Sequence, residues 1–248
     1  MNLKQTLATP ARSRQQFLAW YHAQGPGQLL RTIEASYLLT ATKLTYNQKI
    51  LQVGWMGTEK HYIDHDLRAN LAIVDIDGTA SPTAESVMRG DAEALPVATE
   101  SIDVLVLPHV LEFEDNPHQV LSEAVRVLKP EGLMIVLGIN PWSPKSMAKY
   151  LIFRSDFTLK NRIGCYRLMD WLTLLKLESE FSAGFGLSSS QTVFRPDSML
   201  TRSLAHLATS YAVKATKRTY TLIPIRSVWV RPAGILPGQV IDTPLMRK

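Results

Sequence analysis

The chain has 248 residues, enough for one domain with an appendage or for two small domains. Its hydrophobic fraction of 46% and charged fraction of 20% are those of a globular protein and exclude disorder throughout. The formal net charge of +5 conceals a division, a net −5 over residues 1–141 and a net +10 over residues 142–248, so the C-terminal part either faces an anionic partner or is a solvated basic surface. No apolar run approaches the roughly 18 to 20 residues of a spanning helix. No secretory core follows the N-terminus, and the single Cys165 cannot form an internal disulfide. A soluble, cytoplasmic protein without a membrane span is expected.

Residues 13–45 read as helical, with apolar residues at three- and four-residue spacing and a break at Gly25-Pro26-Gly27. From Lys49 the texture changes. KILQVG (49–54), LAIVDID (71–77), SIDVLVL (101–107) and LMIVLGI (133–139) have strand length and β-branched content. Between the last two, Asn116 reads as an N-cap with Pro117 at the first helical position. The apolar face Val120, Leu121, Ala124, Val125 and Leu128 follows, and Lys129-Pro130-Glu131-Gly132 stops the helix. Continuous apolar strands alternating with helices predict an α/β domain with a doubly wound, mostly parallel sheet. Further on, 143–153 and 166–177 read as helices, and 206–220 contains an alternating strand. The stretch from Pro224, with four prolines and two glycines, is expected to be extended or disordered.

In such a sheet, ligands bind outside the carboxyl ends of the strands. Gly54-Trp55-Met56-Gly57 follows the first strand, and a glycine there lets a ligand approach the backbone. Asp75 and Asp77 end the second. A carboxylate there can accept both ribose hydroxyls, and Asp75 stands 21 positions after Gly54. Gly90-Asp91-Ala92-Glu93-Ala94-Leu95-Pro96 is a polar loop in which Asp91 can read an adenine edge. The fourth strand runs into Pro108-His109-Val110-Leu111-Glu112. Asp77, Glu93 and Asp103 read as surface carboxylates, while His109 either lines a pocket or caps the next helix.

The ordered series ILQVG, IVDID, GDAEALP, SIDVLVLPHVLEF, RVLKPEG and LMIVLG resembles the class I S-adenosylmethionine-dependent methyltransferases, in the branch with a GDAExLP loop. It covers residues 49–140 and continues more weakly to about 220. The resemblance implies a single domain over 1–223, with a helical cover at 13–45, a cofactor-binding core at 49–140, a lid at 142–170 and a tail at 224–248. It implies S-adenosylmethionine as cofactor, with Gly54, Trp55 and Gly57 against its methionine part, Asp75 on the ribose, and Asp91 and Ala92 on the adenine. Pro108 and His109 would then line the transferring methyl, His109 as the catalytic residue.

One departure stands out. Where the family has an acidic residue before a glycine-x-glycine-x-glycine loop, this chain has Gln52, and Met56 and Thr58 occupy the second and third glycine positions. Methyl transfer from a sulfonium is an in-line displacement that needs positioning and no covalent intermediate. A metal is not expected: His61 and His65 have ligand spacing but lack the glutamate of a zinc protease motif. The basic segment 142–170, with Trp142, Tyr150, Phe153, Phe157 and Tyr166, suits an anionic or aromatic small-molecule acceptor. Asn140-Pro141-Trp142 follows the fifth strand, not the fourth, and is not the amino-methylating motif. The alternatives are a degenerate relative serving as a binding or regulatory partner and a nucleic-acid-modifying enzyme. The last lacks a readout module, so nucleic acid is not the expected partner.

Overall fold

The computed structural model describes residues 10–42, 48–57, 71–78, 87–144, 159–187, 191–194 and 208–218. Two helices come first, α1 (Pro10–His22) and α2 (Pro26–Ala41). The break between them falls where expected: Gly25 takes φ +109°, and Pro26 opens α2. Strands β1 (Ile50–Val53), β2 (Leu71–Asp75), β3 (Val87–Arg89), β4 (Ile102–Pro108) and β5 (Leu128–Ile139) follow, with α3 (Pro117–Val127) between β4 and β5. Then come α4 (Cys165–Leu174), β6 (Glu178–Leu187), β7 (Gln191–Phe194) and β8 (Ser210–Thr216).

The strands form one sheet in the order β3-β2-β1-β4-β5-β8-β6-β7. Pairing is parallel as far as β5 and antiparallel beyond it. The expected mostly parallel α/β sheet is therefore present, and its order reverses between β1 and β4. That reversal opens a crevice at the carboxyl ends of both strands.

Alternation along the strands splits the core in two. Leu51, Val53, Leu105, Leu107, Met134, Val136 and Val213 point to the face covered by α3 and α4, where Val120, Leu121, Leu168 and Leu172 meet them. Ile50, Ile73, Val104, Val106, Ile135 and Leu137 point to the face covered by α1 and α2 through Phe17, Leu30, Ile33 and Leu38. Gln52, two residues from Ile50, falls on this second face and is fully buried.

Several elements differ from the sequence expectation. Lys129-Pro130-Glu131-Gly132 ends no helix, because α3 has already stopped at Val127. The four residues lie within β5 as an irregularity: Ile102 pairs with Leu128, Val104 pairs with Leu133, and Glu131 takes φ +61°. Leu128 consequently begins the strand rather than extending the helix face. β3, β6 and β7 carry little β-branched signal and were not foreseen. In β6 the inward positions are Phe181, Ala183 and Phe185, and a register shift between Phe181 and Ala183 moves them to opposite faces. Of the helix expected at 143–153, only the first two residues are described. The tail from Pro224 and the pair His61 and His65 lie outside the described residues.

Of the basic group Lys214, Lys217 and Arg218 on and after β8, Lys217 is held by Glu100 and the carbonyls of Val125 and Leu128, and Arg218 by Glu178 and Glu131. Two of its three charges thus serve the fold.

Gly138 on β5 faces the ring of Tyr211, whose hydroxyl donates to the Ile163 carbonyl at 2.8 Å. A Cβ at 138 would collide with that ring. Gly138→Ala is expected to cost about 1–3 kcal/mol through overpacking, read as a lower urea midpoint at unchanged slope.

Candidate functional site

The loop after β1 turns on two glycines: Gly54 takes φ +86° and Gly57 φ +70°. Trp55 is half-buried and Met56 buried, both against the α1–α2 core. Gln52 folds back on this loop, its Nε2–H donating to the Gly54 carbonyl at 2.9 Å. Thr58 lies outside the described residues.

Asp75 ends β2, is 6% exposed, and accepts from the N–H groups of Asp77 and Gly78 at 3.2 and 3.0 Å. Its carboxylate therefore shapes the loop that follows. Asp91 is exposed and accepts from the Glu93 N–H at 2.8 Å, closing a small turn. Ala92 beside it points into the α3–α4 core. That loop is fastened from behind. Glu93 accepts from the N–H and Nδ2–H of Asn116, Glu123 from the Leu95 N–H, and Arg126 donates to the carbonyls of Leu95 and Val97. Asn116 is the N-cap of α3, as expected, but makes no side-chain cap bond. Glu93 is thus a structural tie rather than a bare surface carboxylate. Asp103 likewise holds Lys129 and the Lys49 N–H.

Pro108 closes β4, and His109 takes φ +50° immediately after it. His109 caps no helix. It is fully buried, with its ring packed on Phe17 at 5.0 Å between centroids and Nε2 3.1 Å from Glu34 of α2. Glu34 also accepts from the Tyr21 hydroxyl at 2.9 Å and the Ser210 hydroxyl at 2.7 Å. On the other side of the ring, Nδ1 is 3.8 Å from Glu112, which in turn accepts from the Ile139 N–H at 2.7 Å. Burial alone would push His109 down. Glu34 first, and then Glu112, more than reverse this and lift it from 6.5 to about 9.

Four participants were not singled out by the sequence reading as site residues. Arg14 of α1 is buried, pairs with Asp77 and places Nη2 3.7 Å from the Met56 sulfur. Asp77 is consequently a buried partner and not the surface carboxylate expected. Glu34 and Glu112 flank His109. The available signal was a charge inside an apolar stripe: Arg14 shares a helical face with Phe17 and Tyr21, and Glu34 sits among Ile33, Ala35 and Tyr37. Among the described residues, no group of three or more His, Cys, Asp or Glu could hold a metal ion.

The crevice thus has a glycine turn at β1, a carboxylate at β2, a polar turn at 91–94 and a buried imidazolium at β4. Residues 23–136 match the family described as a methyltransferase domain. The protein YafS of Escherichia coli (strain K12), itself uncharacterised, is 36% identical over 135 residues, covering 54% of each chain. A ubiquinone biosynthesis O-methyltransferase of Glaesserella parasuis serovar 5 is 24% identical over 162 residues, covering 57% of this chain and 66% of that one. The chain therefore spans about half the length of the first relative and under two thirds of the second. An S-adenosylmethionine-dependent methyltransferase of Thermotoga maritima superposes with TM-score 0.59 at 20% identity, covering 84% of this chain and 98% of that one. One from Archaeoglobus fulgidus gives 0.52 at 17%, covering 75% and 94%. Likeness at such identity carries the fold alone.

The raised value of His109 has a signed consequence. Its contribution to stability is complete below the unfolded value near 6.5 and is lost as pH rises through about 9. Denaturant midpoints are expected to fall between pH 7 and pH 9.5, by the equivalent of roughly 3 kcal/mol at most. His109→Gln should flatten that slope.

Proposed function

We propose that the chain is a class I S-adenosylmethionine-dependent methyltransferase that transfers a methyl group from S-adenosylmethionine to a small-molecule acceptor by in-line displacement. The observation that carries this reading is the meeting of Gly54, Asp75 and Pro108-His109 at the carboxyl ends of three adjacent strands, on either side of the point where strand order reverses. The nucleoside half of the cofactor fits what is there. Asp75 would accept the ribose hydroxyls, and Asp91 with the backbone of Ala92 would meet the adenine. Trp55 and Gly57 complete the turn that Gly54 begins.

The cofactor supplies an electrophilic methyl on a sulfonium. The protein's part is to bring an acceptor atom in line with it and to exclude water. Pro108 and His109 form the wall at that end. Because His109 carries a proton below about pH 9, it acts there as a hydrogen-bond donor. Both ring nitrogens face carboxylates, Nε2 toward Glu34 and Nδ1 toward Glu112, so the buried cluster would hold the wall in place and His109 would act as a positioning group rather than as a base. The basic and aromatic residues of the expected 142–170 cover would suit an anionic or aromatic acceptor. In that cover Trp142 and Tyr166 are strongly exposed.

A second reading, a relative that has given up the cofactor for a binding or regulatory role, is favoured by two features. Gln52 brings no charge, and the Arg14 side chain lies against Gly54. Calorimetric titration separates the two readings. Micromolar binding of S-adenosylmethionine or S-adenosylhomocysteine supports the first, and Asp75→Ala should then weaken it by tenfold or more while the protein stays folded. Unchanged affinity in that variant would remove Asp75 from the ribose. A folded protein that binds neither, with Arg14 and Asp77 intact or substituted, supports the second.

A further inference from the structure

A buried guanidinium is costly without an anion beside it, and Arg14 reaches across two strand ends to find one. Its Nη1 pairs with Asp77 in the loop after β2, the two side chains being 1% and 4% exposed. Its Nη2 lies over Gly54 in the loop after β1, where an added Cβ would collide with it. Val110, just beyond His109, closes the same spot from the β4 side. In the function proposed above, Gly54 is where the β1 loop lets the amino-acid part of the cofactor approach the backbone. Guanidinium and ligand therefore compete for one place.

We propose that the Arg14–Asp77 pair gates the cofactor site: Asp77 holds Arg14 over Gly54, and on binding Arg14 exchanges that carboxylate for the α-carboxylate of the cofactor. The inference rests on the S-adenosylmethionine reading and deepens it. The exchange leaves Arg14 paired with an anion before and after, and its energetic demand is the release of the Asp77 carboxylate, which must turn to water once Arg14 leaves it. A nucleoside without the amino-acid part leaves the place over Gly54 empty and need not separate the pair. Apparent affinity is the intrinsic affinity reduced by the fraction of molecules in which the pair is open. The neutral Gln52 fits this arrangement. At the position where the family places an acid, it is turned onto the Gly54 carbonyl, and the carboxylate beside Arg14 is that of Asp77.

The test is calorimetric titration of the wild type, Asp77→Asn and Arg14→Ala with S-adenosylhomocysteine and, separately, with methylthioadenosine, which has the same nucleoside and no amino-acid group. Each protein is first checked for native circular dichroism and a cooperative melt. Asp77→Asn is expected to bind S-adenosylhomocysteine at least tenfold more tightly than the wild type. Methylthioadenosine, which does not reach Gly54, should bind all three proteins alike. If the wild type binds S-adenosylhomocysteine and Asp77→Asn binds it no more tightly, or if methylthioadenosine tightens by the same factor, the pair is a structural contact only and the gate is wrong. If no form binds either ligand, the cofactor reading itself fails and the gate fails with it. Should Arg14→Ala not fold, Asp77→Asn decides alone, because it removes the charge while keeping the volume.

Discussion

The carboxylate of Glu34 fixes how the N-terminal helices meet the sheet. It is 1% exposed, and a buried carboxylate must be given donors or a cation. It receives the Tyr21 hydroxyl from α1, the imidazole of His109 from the end of β4 and the Ser210 hydroxyl from the start of β8. The two N-terminal helices and two distant strands are tied at one point, and each would leave an unpaired buried group if it moved. Apolar packing alone would let α1 and α2 slide over the face formed by Ile73, Val104, Val106 and Ile135. A hydrogen-bonded charge does not allow that freedom.

The same reasoning explains the positions of the charges. Arg14, Gln52 and Glu34 all lie on the face covered by α1 and α2, toward the ends from which a ligand would approach. The opposite face, under α3 and α4, has an apolar cluster that includes Leu105, Leu121, Leu168 and Leu172. One face supplies the fold's apolar anchor, and the other supplies polar groups whose satisfaction depends on geometry at the crevice.

How much of this was legible in the sequence follows from the range of each interaction. Strands β1, β2, β4 and β5 announce themselves because their apolar, β-branched runs are local signals, and so are Asn116-Pro117 before α3 and Gly25-Pro26 between α1 and α2. β6 does not, because its inward residues are Phe181, Ala183 and Phe185 among serine and glycine, and the register shift between the first two breaks the alternation that would reveal it. At the crevice, the positions of Gly54, Asp75 and His109 at strand ends are legible because the topology dictates where strand ends go. The pairs Arg14–Asp77 and Glu34–His109 are not, because their members lie 63 and 75 residues apart. Single-sequence periodicity shows only that a charge interrupts an apolar face. It cannot say which distant group compensates it.

The charge division between the two halves also takes on a narrower meaning. A surplus of +10 after residue 141 invites a polyanion, yet Lys217 and Arg218 spend their charges on Glu100, Glu131 and Glu178. These are partly exposed pairs of modest worth individually, but Lys217 also satisfies the Val125 and Leu128 carbonyls where α3 passes into β5. The basic residues there close the far end of the sheet, opposite to the crevice. At the crevice itself the balance is reversed, with Glu34 and Glu112 around one imidazolium and Asp77 against one guanidinium. A ligand entering from the carboxyl ends would meet these internal ion pairs.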